Sequence, residues 1–301
     1  MVYKRNRMPA KKVLFTRCFP LCYNQTMKKS ACFFIALALL LCTSCARLVQ
    51  PAASVTAVQK EPVIIGVIDT GFSSRAIPQE NVLEGKNYLN EALSTEDTYG
   101  HGTAVASVIL SLVPDVQLVP LVSNAYDGGK ISQVENDTFA RIIRDAVDVY
   151  GCDIINISAG LSLDKSAVRE AVAYAEAQGV PIVASVGNDY AEYGDLTYYP
   201  AAYETVLAVG SINTAETAIS AFSQRGGWVD VYTCGEEVTI GTLSGSTRIS
   251  QGTSFSAAKV TAHLARLIAS AKTPQTPAQL REALMQTTKE LPDGTKYIPQ
   301  S

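Results

Sequence analysis

Four polar residues stand where their side chains could perform nucleophilic chemistry. Asp69 ends the apolar run GVID, His101 lies between two glycines in GHGTAVA, and Ser254 lies in GTSFSAAKV. An acid, an imidazole and a hydroxyl are the groups that together activate a serine for attack on an acyl carbon. Asn188, in SVGND, supplies an uncharged amide that can stabilise an oxyanion without adding a titrating group.

Each of these residues also has a structural explanation when taken alone. An isolated Asp is commonly a turn or cap, Ser caps helices, Asn after Gly is typical of a turn, and His101 could be an exposed loop residue. The only other histidine, His263, comes nine residues after Ser254. On one helix it would face the opposite side, about 13–14 Å away. We therefore interpret His263 as structural, which leaves His101 as the base if Ser254 is a nucleophile.

The elements that must position these residues alternate between apolar runs and amphipathic stretches. Continuous apolar runs predict buried strands at residues 63–68, 116–122, 152–158, 180–186 and 205–212. Helices are predicted at 138–151 and 166–179, each ending in Gly, and at 276–288, capped by Thr276. This alternation indicates an α/β fold of three layers, with a mostly parallel sheet between helices. Ligands bind at the carboxyl ends of the strands in such folds.

Together these motifs resemble those of the subtilisin-like serine proteases, the subtilases. The order Asp, His, Ser is that of subtilisin rather than that of chymotrypsin or the α/β-hydrolases. VIDTG, HGTAVA, INISAG, VGND, YPAAY, AVGSI, FSQRG and GTSFSAAKV follow in the expected order over about residues 60–290. The resemblance implies a serine endopeptidase that hydrolyses peptide bonds through an acyl-enzyme. It makes Asp69, His101 and Ser254 the triad and places Asn188 in the oxyanion hole with the Ser254 N–H.

The resemblance also implies two substrate-binding segments. Ser158, Ala159 and Gly160 resemble the segment that pairs with the substrate backbone and walls the primary specificity pocket. Residues 127–132 (DGGKIS) loosely resemble the opposing segment. The expected partner is a protein or peptide substrate, and we expect a monomer.

Several positions depart from the family pattern. Ala104 replaces a second, non-catalytic His, and Phe255, Ser256, Ala258 and Lys259 replace the residues that usually follow the serine. Because of these changes, the shape of the pocket does not follow from the family pattern. Asp97 is a rival acid that we interpret as a rim residue, because it does not end a strand. No loop carries a cluster of oxygen ligands, so we predict neither metal nor cofactor, although calcium is common among subtilases.

Two other functions remain open from the residues. A catalytically silent lipoprotein could retain the fold as a binding module, although the intact triad and Asn188 argue against it. An esterase acting on small acyl groups would use the same side chains. Nucleic acid is excluded as the main partner, because all 28 acidic residues lie after residue 47 and outnumber the basic residues there.

The N-terminus predicts export. Nine basic residues and no acidic residue precede residue 48, and Lys28-Lys29 is followed by the apolar run ACFFIALALLLC at 31–42. This is the pattern of a signal peptide, and the run is too short to span a bilayer comfortably. We interpret residues 27–45 as the signal peptide, with Met27 as the start and 1–26 as an upstream extension that is not native. A long n-region starting at Met1 is the alternative.

Cys45 is the expected lipidation site. It follows small residues at the end of the apolar run, as in a bacterial lipoprotein, although Cys42 stands where Leu is usual. Ordinary cleavage after Ala46 is the alternative and would give a secreted protein. Residues 46–62 then form a tether too short for a folded propeptide, 63–290 the peptidase domain, and 291–301 a C-terminal tail. We expect an extracytoplasmic protein anchored to a membrane through its lipid.

Overall fold

The computed structural model describes residues 61–127 and 130–300, and the apolar runs of the sequence form its central sheet. The strands are β1 (Ile64–Asp69), β2 (Lys86–Asn87), β3 (Gln117–Val122), β4 (Asn124–Asp127), β5 (Lys130–Gln133), β6 (Ile154–Ile157), β7 (Ile182–Ser185), β8 (Leu207–Ile212), β9 (Val231–Cys234), β10 (Val238–Gly241), β11 (Thr247–Ser250), β12 (Lys289–Glu290) and β13 (Lys296–Ile298). Among these residues the main sheet has nine strands in the order β12-β13-β9-β8-β7-β6-β1-β3-β2. Only the β12–β13 pair is antiparallel in that sheet, and β4–β5 and β10–β11 form separate hairpins.

The helices cover the sheet on two sides. They are α1 (His101–Leu112), α2 (Asn136–Asp148), α3 (Ser166–Ala177), α4 (Tyr190–Tyr193), α5 (Thr253–Ser270) and α6 (Pro277–Met285), with a short 3-10 turn at Gln79–Asn81. Neighbouring strand residues alternate between two cores: Ile154 packs with α1, α5 and α6, whereas Ile155 packs with α2 and α3. Both faces of the sheet are therefore buried, which confirms the predicted three-layer α/β/α fold.

The predicted helix ends agree with the structure to within about three residues. α3 ends at Ala177, and Gly179 then adopts a φ of 84° while the Val180 amide donates back to the Ala175 carbonyl. This is the Schellman arrangement that favours glycine after a helix. α6 begins with the predicted cap, because the Thr276 side chain accepts from the Gln279 amide and the two residues form a capping box.

The C-terminal residues belong to the domain, and the structure moves its boundary beyond the expected residue 290. β13 pairs in parallel with β9, and Tyr297 and Ile298 are buried. The expected tail contains too few apolar residues to show a strand period, so its burial depends on the neighbouring strand. Residues 1–60, with the extension, the signal peptide, Cys45 and most of the tether, lie outside the described residues.

Candidate active site

Asp69 is the last residue of β1, at the carboxyl edge of the sheet. Its side chain is only 1% exposed and accepts a hydrogen bond from the Thr70 amide at 2.8 Å. Both carboxylate oxygens lie close to His101 Nδ1, at 2.8 and 2.9 Å. The end of a buried strand therefore holds a carboxylate that is aimed at the imidazole.

His101 begins α1 and lies between Asp69 and Ser254. Its Nε2 atom is 3.1 Å from Ser254 Oγ, while its Nδ1 atom faces the Asp69 carboxylate. The following glycine makes this approach possible, because a Cβ on Gly102 would lie 2.4 Å from the Gly71 carbonyl oxygen. The first turn of α1 can therefore sit directly against the loop that follows β1.

The surroundings of His101 shift the pKa of its imidazole in opposite directions. Burial lowers the pKa of the imidazole, but the charge of Asp69, its hydrogen bond and the charge of Asp97 together raise that pKa above 6.5. The carboxylates therefore favour the imidazolium, which is the form that His101 adopts after accepting a proton.

Ser254 is the second residue of α5 and is buried, with 5% of its surface exposed. Its hydroxyl faces His101 Nε2, and its amide belongs to the first helical turn, where N–H groups have no intrahelical acceptor. A negative charge that develops next to Ser254 would thus meet both a free donor and the positive end of the helix dipole.

Asn188 lies after β7 with an oriented side chain. Its Oδ1 atom accepts from the Thr253 amide at 2.8 Å and from the Thr253 hydroxyl at 3.0 Å. With the oxygen occupied, the amide nitrogen is left to donate, and Asn188 lines the same cavity as His101 and Ser254. The structure thus brings all four predicted residues together at one edge of the sheet.

Asp97 is buried rather than at the rim, which corrects the interpretation from the sequence. It is 4% exposed and accepts hydrogen bonds from the amides of Tyr99, Gly100 and Thr103 and from the Thr103 hydroxyl. These are donors in and just before the first turn of α1, so Asp97 fixes the start of the helix that carries His101. It acts on the imidazole through its charge, without a hydrogen bond to it.

A groove of about 280 Å³ runs past the triad on one side. The predicted segment Ser158–Gly160 forms part of one wall, and the β4–β5 hairpin forms the other. Of the predicted opposing segment 127–132, Ile131 lines this groove, and most of the hairpin's contribution comes from residues before it, Asn124, Ala125 and Tyr126. Gln133, just after the segment, also lines the groove, so most of the hairpin wall lies outside the expected segment.

A second cavity, of about 560 Å³, is lined by Ser254 and Asn188 and shares Tyr99 and His101 with the groove. The β10–β11 hairpin forms one wall through residues Ile240–Ser244, and Arg248 and Gln251 also line it. A chain that lay in both depressions would pass beside His101, which lines both. This arrangement suits an extended polymer with its reacting bond in the middle.

Sequence reasoning missed several residues that shape the site. Thr253, which orients Asn188, was hidden because a Thr beside a nucleophile looks like an ordinary helix cap. Tyr99 and Tyr126, whose rings are 4.8 Å apart at the groove, lie in stretches without a strand or helix period. No sequence signal therefore marks them, because neither exposure nor ring stacking can be read from an unpatterned stretch.

His263 lies away from this site, in agreement with the helical geometry. It faces a different cavity, of about 400 Å³, together with Lys259 and Arg266.

Cys152 and Cys234 are both buried and free. Across residues 61–127 and 130–300, no group of three or more His, Cys, Asp or Glu side chains is placed to hold a metal ion. Within the same ranges, no helix has the length and hydropathy needed to span a bilayer.

The sequence matches known proteases over most of its length. A model of the subtilase family matches residues 60–298. Subtilisin DY of Bacillus licheniformis is 29% identical over 240 residues, covering 78% of this chain and 86% of that protein. Subtilisin Savinase of Lederbergia lenta is 30% identical over 262 residues, covering 83% of this chain and 92% of that protein. Mycosin-4 of Mycobacterium tuberculosis is 32% identical, and the matched region covers 60% of its length.

Solved structures share the fold. A cold adapted subtilisin-like serine proteinase superposes with a TM-score of 0.69 at 24% identity, covering 79% of this chain and 89% of that chain. Sphericase superposes with a TM-score of 0.64 at 26% identity, covering 75% and 83%. Because the family model matches well over half of its residues and the relatives are proteases, this chain belongs to the subtilase family and is a serine endopeptidase.

Proposed function

We propose that Ser254, His101 and Asp69 are the catalytic triad of this protease. The observation that supports this assignment most directly is the position of the His101 ring, with Nδ1 at 2.8 Å from Asp69 and Nε2 at 3.1 Å from Ser254. Hydrogen-bond contacts on both ring nitrogens fix one tautomer, in which Nδ1–H donates to the carboxylate and Nε2 is free to accept a proton.

The steps follow from these positions. His101 takes the Ser254 proton while Oγ attacks the carbonyl carbon of the peptide bond, and the resulting imidazolium is stabilised by Asp69. Asn188 and the Ser254 amide donate to the oxyanion of the tetrahedral intermediate. His101 then gives its proton to the leaving amine, and water releases the acyl group by the same route in reverse.

The decisive experiment is labelling with a fluorophosphonate, followed by assays on casein and on a small ester. We expect the label on Ser254 and cleavage of casein. Labelling with ester hydrolysis alone would instead identify an esterase, and no labelling would identify a silent binding module. Ser256→Ala is the matched control, because this serine is also in α5 but donates its hydroxyl to the Thr233 carbonyl.

We also propose that the protease is exported and held on a membrane through lipid on Cys45. Three features of the sequence support this anchor: a basic start, the apolar run 31–42 and small residues before the cysteine. Stable anchoring needs more than one acyl chain, which lipoprotein modification supplies. Wild type should sediment with membranes and take up labelled fatty acid, and Cys45→Ser should do neither. A wild-type protein free in the medium with its N-terminus after Ala46 would overturn the anchor.

A further inference from the structure

Two segments leave the sheet side by side next to Ser254. Residues 158–160 follow β6 and residues 186–188 follow β7, and these strands are parallel neighbours, with Ile157 paired to Ala184. The first segment forms a wall of the groove, and the second ends in Asn188. The space between these two segments therefore lies at the same edge of the sheet as the nucleophile.

The side chain before the scissile bond must enter this space. Its carbonyl carbon meets Ser254 Oγ and its carbonyl oxygen faces Asn188, at about 2.7–3.1 Å once the oxyanion has formed. An extended peptide pairs its backbone with a segment such as 158–160 by adding a strand. A residue fixed in this way by both segments directs its side chain between them.

The ring of Tyr198 already occupies the space between the two segments. A Cβ placed on Gly160 would lie 3.2 Å from Tyr198 Cδ1, and one placed on Gly187 would lie 2.6 Å from Cδ2 and 2.8 Å from Cε2. Opposite edges of one ring therefore pack against the two glycines. Neither position could carry a side chain without moving the ring.

Tyr198 is anchored at its hydroxyl and along its backbone. The hydroxyl donates to Asp189 at 2.8 Å, and burial together with this bond raises the pKa of Tyr198 to about 12, so the phenol stays protonated. The neighbouring Tyr199 exchanges two backbone hydrogen bonds with Leu161, at 2.7 and 2.9 Å. On the other side, the Leu196 amide donates to Gln224, which is fully buried.

We propose that Tyr198 closes the primary specificity pocket, so that this protease cleaves after Gly, Ala or Ser and discriminates against large side chains. The proposal rests on the function proposed above, because it takes Ser254 as the point of attack. A large side chain would have to displace a ring held by a hydrogen bond and by two close glycine contacts. Gly, Ala and Ser have the smallest side chains and so demand the least space beside the ring.

The test uses internally quenched peptides that are identical except for Gly, Ala, Ser, Leu or Phe before the scissile bond. Wild type should show a kcat/KM for Ala roughly 10²-fold above that for Phe. Tyr198→Gly should move the Phe to Ala ratio by roughly 10²-fold toward Phe, because it removes the ring. Tyr198→Phe keeps the ring and should keep the preference for Ala. Tyr193→Ala is the matched control, since this tyrosine lies in the same region and is 63% exposed.

A wild type that cleaves after Phe as fast as after Ala would overturn the proposal. The proposal can also be tested on the wild-type protein, which matters if Tyr198→Gly does not fold. Peptide aldehydes that end in alaninal or phenylalaninal compete with the fluorophosphonate for Ser254 of the wild type. Only the alaninal should protect Ser254 efficiently from labelling. Equal protection would sink the inference on Tyr198 while leaving Ser254 as the nucleophile. Absence of any labelling would instead remove the proposed function itself.

Discussion

At the scale of single residues, His101 depends on neighbours that differ in kind. Asp69 contacts the imidazole directly from the end of a buried strand, whereas Asp97 lies beneath the start of α1 and contributes its charge. Thr253 affects the same site through Asn188, which it orients by two hydrogen bonds. The reacting residues and those that position them can therefore be separated by experiment.

Replacing the nucleophile, the base or both should lower the rate of hydrolysis by about the same factor. Ser254→Ala, His101→Ala and the double variant should each lower kcat by roughly 10⁴–10⁶, because the remaining members of a triad cannot act without the missing one. Steady-state rates on one peptide substrate measure this. Appreciable turnover by Ser254→Ala would show that another group makes the attack.

Asn188→Ala should lower kcat by roughly 10²–10³ with a much smaller change in KM, because it removes a donor that is used mainly in the transition state. Thr253→Val should have a weaker effect in the same direction, since the amide of residue 253 still holds Asn188. Separate determination of kcat and KM for both variants checks this. An effect confined to KM would assign Asn188 to substrate binding instead.

The pH dependence should reveal Asp97. His101 must be neutral to accept a proton, so activity is lost as the pH falls through its pKa, which lies above 6.5. Asp97→Asn removes one of the charges that raise this pKa, so the acid limb of kcat/KM should shift to lower pH. The exposed Asp115→Asn serves as control and should leave the limb in place. A limb unmoved in both variants would mean that Asp97 acts only as a structural support.

At the scale of elements, the sequence predicts most reliably what is buried on two sides. The five core strands and the helices α2, α3 and α6 were found from apolar period, glycine stops and the Thr276 cap. The sequence does not indicate the four-residue strands of the β4–β5 and β10–β11 hairpins, which line the groove and the second cavity respectively. Runs such as KISQ and TRIS bury little, so pairing with a neighbouring strand, and not their own pattern, makes them strands.

The Thr276 cap offers a test at this scale. Thr276→Ala removes one side of the capping box of α6, which should lower the free energy of unfolding by about 1 kcal/mol. Thr273→Ala changes an exposed threonine just before the cap and should have little effect. Denaturant titration of both variants measures the difference. Equal stabilities would mean that the packing of α6 alone determines its start.

Within the site, too, residues next to strongly patterned elements can be predicted from the sequence, and residues on loops cannot. Asp69, His101, Ser254 and Asn188 could be identified because each follows or begins a strongly patterned element. The position of Tyr198 could not, because it depends on a loop that is fixed by Leu161, Asp189 and Gln224 from other parts of the chain. A single sequence carries no information on such long-range contacts.

At the scale of the whole molecule, the triad joins parts of the chain that are remote in sequence. His101 is 32 residues from Asp69 and 153 residues from Ser254. β1, α1 and α5, which carry them, all pack into the shared core on one face of the sheet. Activity therefore depends on that core as one cooperative unit.

Thermal inactivation should consequently coincide with global unfolding. The midpoint of activity loss after brief heating, read at once at the same temperature, should match the midpoint from far-UV circular dichroism. Activity lost well below the spectroscopic transition would show that a local part of the site opens first. Including a serine protease inhibitor during spectroscopy controls for self-digestion.

The last strand of the sheet has a consequence for when the protease can begin to work. β13 lies beside β9 and contains two of the last buried side chains of the chain, Tyr297 and Ile298. During synthesis these residues emerge after Ser254, several seconds later at roughly 5–20 residues per second. Until then the edge of β9 is unpaired and the sheet that supports the nucleophile is incomplete. We therefore expect proteolytic activity only after β13 has been added to the sheet beside β9.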